Sequence, residues 1–257
     1  MIVGLAALPW ECATLRNCLQ HVTRWRPDGR WAAWVGEAGK QSVGVVQCGM
    51  GPVRAEFAAE AVLRHEPVTA LLSFGCAGGL SPELRPGTLI VAKRVLDAVS
   101  GAATFPAETL RDGLVAAARA AELPVEQGSV VSTARPLLTQ AEKEQAARSF
   151  SAVAVDMESA AIAAVAERHH IPFACVRAVL DPVEVALPAD GLVDPEGGRP
   201  RAGALLRMLL RRPAAAYELR HLREFQQATV RSLEQLFATW VPLLNRRPSK
   251  TRAPQGF

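Results

Sequence analysis

The sequence predicts a single-domain α/β protein, a three-layer α/β/α sandwich whose central sheet is mixed, largely parallel and twisted. Short apolar runs of strand length alternate with segments of helical length along the 257 residues. This alternation is typical of a sheet that helices cover on both faces. Hydrophobic residues make up 49% and charged residues 21%, which suits a globular chain with a large buried core. No internal repeat or linker divides the chain, so we expect one domain.

The predicted strands are short apolar runs bounded by turn residues. They lie at Ile2–Leu8, Trp31–Val35, Ser42–Gln47, Ala70–Phe74, Thr88–Val95, Ser129–Ser132, Val153–Val155 and Pro172–Leu180. The predicted helices lie at Glu11–Gln20, Val53–Arg64, Glu108–Ala121, Thr139–Arg148, Ser159–His169, Ala202–Leu210 and Pro213–Phe237. In the second of these helices, periodicity predicts one buried face made of Val53, Phe57, Ala61 and Leu63. The Pro- and Gly-rich segment Pro188–Pro200 is predicted to be a loop.

The C-terminal part of the chain is strongly basic. Residues 201–257 hold eleven Lys and Arg against three Glu, whereas residues 1–200 hold eighteen against twenty-two Asp and Glu. We therefore predict a main domain at 1–245, with 188–245 as a basic helical elaboration, and a flexible tail at 246–257. The stretch Leu205–Pro213 is either a basic amphipathic helix that contacts an anionic membrane surface or an ordinary covering helix with solvated arginines. The first interpretation predicts binding to anionic liposomes that high salt abolishes.

Several kinds of site and location are disfavoured. The five cysteines are scattered and form no CxxC pair, so we expect neither a disulfide framework nor a zinc site, and a reducing cytoplasm fits. We expect no metal and no cofactor, since no dinucleotide or P-loop fingerprint is present. The basic segment lacks interleaved aromatic residues, which argues against a nucleic-acid partner. No run approaches the ~18 apolar residues of a bilayer span, and the N-terminus is interpreted as a buried strand rather than a signal peptide.

Four groups of residues lie at predicted strand ends, where ligands of parallel sheets gather. They are Glu11, the glycine loops Cys48–Gly51 and Gly75–Gly79, the segment Val155–Ser159, and the segment Arg177–Asp181. Each has an ordinary explanation. A glycine loop is most often a tight turn, an acidic residue is favoured where a helix begins, and an aspartate before proline can start a turn. Arg177 either orients a buried carboxylate or forms a surface ion pair.

The combination is more specific than its parts. The order Glu11, GCAGG at Gly75–Gly79, VDMESAA at Val155–Ala161 and RAVLD at Arg177–Asp181 resembles the nucleoside phosphorylase and nucleosidase superfamily, particularly the adenosine-thioether nucleosidases. The resemblance covers about residues 1–181, in order and with compatible spacing. It implies an enzyme that cleaves the N-glycosidic bond of an adenine nucleoside.

The resemblance also implies a role for each carboxylate. Asp181 would protonate or hydrogen-bond N7 of the leaving adenine, which requires a pKa raised by a dry pocket. Glu11 would activate the water that attacks the oxocarbenium-like sugar, and Glu158 would accept hydrogen bonds from the ribose hydroxyls. The catalytic and substrate-binding candidates are Asp181, Glu11, Glu158, Met157, Cys76, Ala77, Gly78, Met50 and Leu137.

Departures from the family pattern bear on the nucleophile and on the base. Phosphorolytic members bind phosphate with arginines in the first loop and before the glycine-rich strand end. Ala7–Glu11 and Ser73–Cys76 contain none, which favours water over phosphate, although Arg54 could reach in from elsewhere. Cys76 stands in place of a serine, and Leu180 in place of a polar residue. The segment Ser132–Leu137 lacks the aromatic residue of thioether nucleosidases. These departures therefore bear on recognition of the adenine base more than on cleavage of the glycosidic bond.

The extended C-terminal part resembles the hopanoid-biosynthesis branch of the superfamily. That branch removes adenine from adenosylhopane, a nucleoside joined at C5′ to a pentacyclic lipid. We therefore predict adenosylhopane as the substrate, with methylthioadenosine or adenosylhomocysteine as the alternative and a non-catalytic nucleoside-binding protein as the second alternative. The family commonly assembles, so we expect a homo-oligomer, a dimer, in the cytoplasm or peripherally at the inner face of the membrane.

Overall fold

The computed structural model describes residues 1–187, 194 and 215–244, and only the backbone of 215–219. In these ranges the strands are β1 (Ile2–Ala6), β2 (Gln20–Trp25), β3 (Ala32–Ala38), β4 (Gln41–Gln47), β5 (Ala70–Gly79), β6 (Leu89–Asp97), β7 (Ala103–Thr104), β8 (Val125–Ser132), β9 (Ala154–Asp156) and β10 (Phe173–Asp181). The helices there are α1 (Pro9–Arg16), α2 (Pro52–His65), α3 (Glu108–Ala120), α4 (Gln140–Phe150), α5 (Ser159–Arg168) and α6 (Ala215–Leu243). All eight predicted strands are present, with shifted ends.

The sheet closes partly on itself. Its strands follow the order β10-β6-β8-β9-β5-β1-β4-β3-β2, and β10 also pairs with β5, so β5, β10, β6, β8 and β9 form a ring. Five of the ten pairings between described strands are parallel and five are antiparallel, which confirms the mixed sheet. Ring closure has a local consequence, because Gly78 on β5 lies opposite both Val155 on β9 and Asp181 on β10. Three separate sequence motifs therefore meet at one point.

Helices cover both faces of the sheet. One apolar core packs α1, α3 and α6 against the sheet, with Leu15, Leu114 and Phe237 fully buried. The other packs α2 and α5, with Ala58 and Ile162 fully buried. The two cores lie on opposite faces because alternate residues of a strand point to opposite sides. The single-domain α/β prediction is confirmed.

The predicted buried face of α2 is partly wrong. Val53 is 63% exposed and Phe57 is 60% exposed, although Ala61 is buried as expected. The face that packs inward is made of smaller residues, namely Ala55, Ala58, Ala59, Ala61 and Val62. Small side chains let a helix lie close to its neighbours, and here they pack in the same core as α5. The larger apolar residues of α2 are consequently left at the surface.

Two further predictions need correction. The segment Gly75–Gly79 is not a turn after a strand but the last five residues of β5 itself. The predicted helix Glu11–Gln20 ends at Arg16, and Gln20–Trp25 forms β2, an edge strand whose residues are exposed except for the half-buried Trp25. An edge strand with both faces near solvent has no apolar alternation to reveal it, so the sequence pattern missed it.

The C-terminal helix α6 is part of the core. Leu233, Leu236, Phe237 and Trp240 are buried, and the ring of Phe237 packs edge-to-face on Phe74 with centroids 5.1 Å apart. The described part of the elaboration is thus a covering helix. The predicted loop Pro188–Pro200 (apart from residue 194), the helix Ala202–Leu210 with its basic stretch and the tail 246–257 lie outside the described residues. In the described part, no helix combines the length and apolar character that a bilayer span needs.

Candidate active site

One cleft gathers all nine candidate residues. It encloses about 150 Å³ at the carboxyl ends of β1, β5, β9 and β10. The candidates that line it are Glu11, Met50, Cys76, Ala77, Gly78, Leu137, Met157, Glu158 and Asp181. Leu8, Pro136, Val155, Leu180 and Leu187 add apolar lining. The cleft therefore combines a mostly apolar wall with carboxyl groups from different strand ends.

Glu11 is fixed by backbone donors from two segments. It occupies the first turn of α1, where its Oε2 accepts from the Leu8 N–H at 2.8 Å. Its Oε1 accepts from the Cys76 N–H at 2.7 Å, so Cys76 contributes to the site through its backbone. Gly75 makes this approach possible, because its φ is +145° and an added Cβ would lie 2.6 Å from Glu11 Oε1. Burial raises the pKa of Glu11, although Arg177 and the Cys76 N–H act in the opposite direction.

Arg177 lies deep behind the cleft and pairs with Asp156. Its side chain is 1% exposed, and its Nη2 lies 2.7 Å from Asp156 Oδ2. It also donates to the hydroxyls of Ser73 at 2.8 Å and Ser159 at 2.9 Å. The other Asp156 oxygen accepts from the Ser132 hydroxyl. Arg177 thus orients a buried carboxylate, and the alternative of a surface ion pair is wrong.

Glu158 stands between this ion pair and the first glycine loop. Its Oε1 accepts from the Gly51 N–H at 2.8 Å, and its Oε2 lies 4.0 Å from Arg177 Nη2. Burial raises the pKa of Glu158 to about 7, against the attraction of Arg177 and with the help of the negative charge on Asp156. Near neutral pH this carboxyl can therefore both donate and accept a hydrogen bond.

Asp181 is paired with a lysine that the sequence did not reveal. Lys143 on α4 is fully buried, and its Nζ lies 2.6 Å from Asp181 Oδ2. Burial raises the pKa of Asp181 although Lys143 acts to lower it. No local pattern marked Lys143, since it follows Glu142 and precedes Glu144 in a polar helix. Only the tertiary structure shows that its side chain points inward, onto Asp181 at the end of β10.

A wide groove adjoins the cleft at Met50. Its apolar and aromatic lining comes from Trp10, Trp31, Trp34, Val53 and Phe57, and its basic lining from Arg16, Arg24, Arg30 and Arg54. The guanidinium groups of Arg16 and Arg24 each lie 4.9 Å from the ring centre of Trp34, the geometry of a cation–π contact. Arg54 thus lines the groove and not the cleft.

The arrangement supports acid–base chemistry on a ligand held in the cleft. Among the described residues, the cleft lining includes neither arginine nor lysine. In that same part of the chain, no group of three or more His, Cys, Asp or Glu side chains is placed to hold a metal ion. The carboxyls that line the cleft come from separate segments, with Glu11 on α1, Glu158 just after β9 and Asp181 at the end of β10.

Similar structures share this fold over nearly the whole chain. The 5′-methylthioadenosine/S-adenosylhomocysteine nucleosidase from Neisseria meningitidis, solved with methylthio-immucillin-A, matches with a TM-score of 0.75 and 22% identity, over 94% of this chain and 98% of that one. A putative methylthioadenosine nucleosidase from Weissella paramesenteroides matches at 0.73 with 20% identity, over 95% and 98%. Futalosine hydrolase of Helicobacter pylori matches at 0.69 with 18% identity, over 91% and 96%.

A family model gives the relationship directly. The model described as the phosphorylase superfamily matches residues 2–210, which include every residue that lines the cleft. The chain therefore belongs to the phosphorylase superfamily.

Proposed function

We propose that this protein is an N-glycosidase that hydrolyses an adenine nucleoside, and that its substrate is adenosylhopane, cleaved to adenine and ribosylhopane in hopanoid lipid biosynthesis. The observation that carries the proposal is the placement of Glu11, Glu158 and Asp181 around one apolar cleft. Glycosidic cleavage needs a group that assists the leaving base on one side of the sugar and a group that activates the nucleophile on the other. A nucleoside-binding protein without activity would need no such pair.

Each carboxyl has a role that suits its surroundings. Glu11 activates water, because two backbone N–H groups hold it in place and its raised pKa makes it a stronger base than a free carboxylate. Glu158 binds the ribose hydroxyls, beside Met157, which packs against the sugar. Asp181 assists departure of the base at N7, and its raised pKa suits a proton donor. Met50, Leu137, Cys76, Ala77 and Gly78 complete the wall around the nucleoside.

Water is the proposed nucleophile. A phosphate dianion needs cations that bind it in a bidentate manner, and the described lining of the cleft offers none. Arg177 is occupied by Asp156, Ser73 and Ser159. Arg54 lines the groove and not the cleft. Hydrolysis is therefore favoured over phosphorolysis.

The adjoining groove supports a large 5′ substituent. It meets the cleft at Met50 and exposes Val53 and Phe57, which would otherwise cost free energy in water. A pentacyclic lipid attached at C5′ could bury these side chains. The alternative substrate is methylthioadenosine or adenosylhomocysteine, and the nucleosidase from Neisseria meningitidis favours it because its overall fold is so similar.

Release of adenine tests the proposal. Purified protein is incubated with adenosylhopane and, separately, with methylthioadenosine, with and without phosphate, and free adenine is measured. Release from adenosylhopane without phosphate is expected. Release from methylthioadenosine alone would contradict the lipid substrate, a strict need for phosphate would contradict hydrolysis, and no release from either would favour a binding protein.

Variants of the groove sharpen the choice of substrate. The double variant Val53→Ser/Phe57→Ser should lower kcat/KM for adenosylhopane roughly tenfold or more, since each buried apolar side chain contributes on the order of 1.5–3 kcal/mol. Its kcat/KM for methylthioadenosine should not change. Val22→Ser, which alters an exposed valine outside the groove, is the control. Equal losses of kcat/KM on both nucleosides would show that the groove does not bind the lipid.

Assembly and location form the rest of the proposal. We propose a homodimer and reversible contact of the basic C-terminal part with the inner face of the membrane, and no nucleic-acid partner. Residues 201–257 contain eleven Lys and Arg but only three Glu, and this positive charge supports electrostatic attraction to anionic lipid. Light scattering at several protein concentrations measures the oligomer, and sedimentation with anionic liposomes at low and high salt measures the membrane contact.

A further inference from the structure

Lys143 is a charged residue buried directly behind the cleft. Its ammonium contacts Asp181 Oδ2 at 2.6 Å and has no exposed surface. It also donates to the backbone carbonyls of Pro182 at 2.8 Å and Val185 at 2.7 Å. An ammonium has three N–H donors, and these three acceptors match them. The three contacts therefore fix the Lys143 side chain and direct its Nζ at Asp181.

The type of cation is informative. The chain contains 25 arginines and four lysines, yet the cation beside Asp181 is a lysine. An ammonium can release a proton, whereas a guanidinium in a protein does not. The buried cation that pairs with Asp156, by contrast, is Arg177. The lysine thus stands at the position where a mobile proton would be useful.

We propose that Lys143 is a positioning residue that supplies, through Asp181, the proton taken up by the leaving base. This inference rests on the proposed glycosidic cleavage. As the bond from C1′ to the base breaks, its electron pair stays with the base. One proton passes from Lys143 to the Asp181 carboxylate and from that carboxyl to N7. The attacking water gives its hydroxyl to C1′ and its proton to Glu11. After the products leave, Glu11 releases that proton to solvent, and a solvent proton returns to Lys143 through Asp181, which lines the cleft.

The surroundings of Asp181 support this route. Burial raises the pKa of Asp181, which favours transfer of a proton onto its carboxylate. Cys76 on β5 is an ionisable group that senses the charge of Asp181, but burial raises the pKa of its thiol and keeps it neutral. Among the described groups, Lys143 is accordingly the charged partner that Asp181 contacts.

A purely structural role makes a different prediction. Lys143 also ties down the turn after β10 through the carbonyls of Pro182 and Val185. If that were its whole function, its loss would disturb every reaction in the cleft to the same degree. A proton supplied to the base matters only when the leaving group needs a proton. The leaving group is therefore the variable that separates the two roles.

The experiment compares Lys143→Met with Lys93→Met, an exposed lysine on β6. Each protein is assayed on whichever of adenosylhopane and methylthioadenosine the wild type cleaves, and on 4-nitrophenyl riboside, whose leaving group departs as a stable anion. For Lys143→Met we expect kcat on the adenine nucleoside to fall roughly 10²-fold with little change in KM, and the nitrophenyl reaction to be unchanged. Its remaining activity on the nucleoside should decline as pH rises through the pKa of Asp181, because that carboxyl must then carry the proton itself.

The other outcomes contradict the inference in distinct ways. Equal losses on both substrates would show that Lys143 only maintains the cleft, and no loss on either would show that it supplies no proton. Wild-type protein that releases neither leaving group would refute the proposed function and this inference with it. If Lys143→Met does not fold, the double variant Lys143→Met/Asp181→Asn avoids an unpaired buried charge. It should lose no more activity on the nucleoside than Asp181→Asn alone, and a further loss would contradict the shared route.

Discussion

Two ionic clusters adjoin the same cleft, and they differ in their balance of charge. Among the described residues of the first, three carboxyl groups (Glu11, Asp156 and Glu158) surround the cation of Arg177. In the second, Asp181 pairs with Lys143. The first cluster has an excess of carboxylates around a cation that cannot release its proton. The second is a matched pair with a cation that can.

This difference in charge bears on the opposite roles that we propose for the carboxyl groups. Burial raises the pKa of Glu11 and Glu158, and for Glu158 the negative charge of Asp156 adds to this effect. Such a group suits the acceptance of a proton from water. Where a carboxylate contacts an ammonium, it can pass a proton onward instead. We therefore assign the base to the first cluster and the acid to the second.

Removing one carboxyl from each cluster tests this assignment most strongly. Asp181→Asn and Glu11→Gln should each lower kcat on the adenine nucleoside by roughly 10²–10⁴-fold. They should differ on 4-nitrophenyl riboside. Asp181→Asn should retain that activity because the leaving group needs no proton, whereas Glu11→Gln should lose it because water must still be activated. If both variants lost activity on the same substrates, the two clusters would not have separate catalytic roles.

Removing the cation of the first cluster should have the largest effect on stability. Arg177→Met leaves buried carboxylates without a partner, and we expect the free energy of unfolding to fall by roughly 3–5 kcal/mol. Urea denaturation followed by circular dichroism measures it. Arg168→Met is the control, because Arg168 pairs with Glu56 and Glu60 at a half-exposed surface, where an ion pair contributes about 0–1 kcal/mol. Similar losses in the two variants would contradict the buried network.

The smallest expected effect is a dependence of stability on pH. The pKa of Glu158 in the folded protein is about 7, above its ordinary value of 4.5, so the folded state holds this proton more tightly than the unfolded state does. Its contribution to stability is therefore complete below pH 4.5 and is lost as pH rises to about 7. Glu158→Gln should remove a decline of roughly 1–3 kcal/mol over this interval, measured by denaturation at several pH values. Glu126→Gln, at an exposed position on β8, is the control and should leave the decline in place. An unchanged decline in Glu158→Gln would show that another group causes it.

Predictions from local pattern succeeded where burial leaves a clear mark in the sequence. The eight predicted strands are apolar runs, and their cores are buried. The pattern failed for β2, whose residues are exposed, and for the inward face of α2, where alanines pack and Phe57 does not. Periodicity reports which side chains are apolar, but the size of the gap between a helix and its neighbours decides which of them fit.

By itself, the sequence determined the mixed α/β fold and the set of residues at the strand ends, because apolar runs and polar strand termini are local features. It could not show that β10 pairs with β5 and thereby brings Gly78, Val155 and Asp181 together, because pairing between distant strands leaves no local pattern. Nor could it distinguish Arg177 and Lys143 from surface cations. Their partners are contributed by segments far apart in the chain, and only the tertiary structure removes both side chains from water.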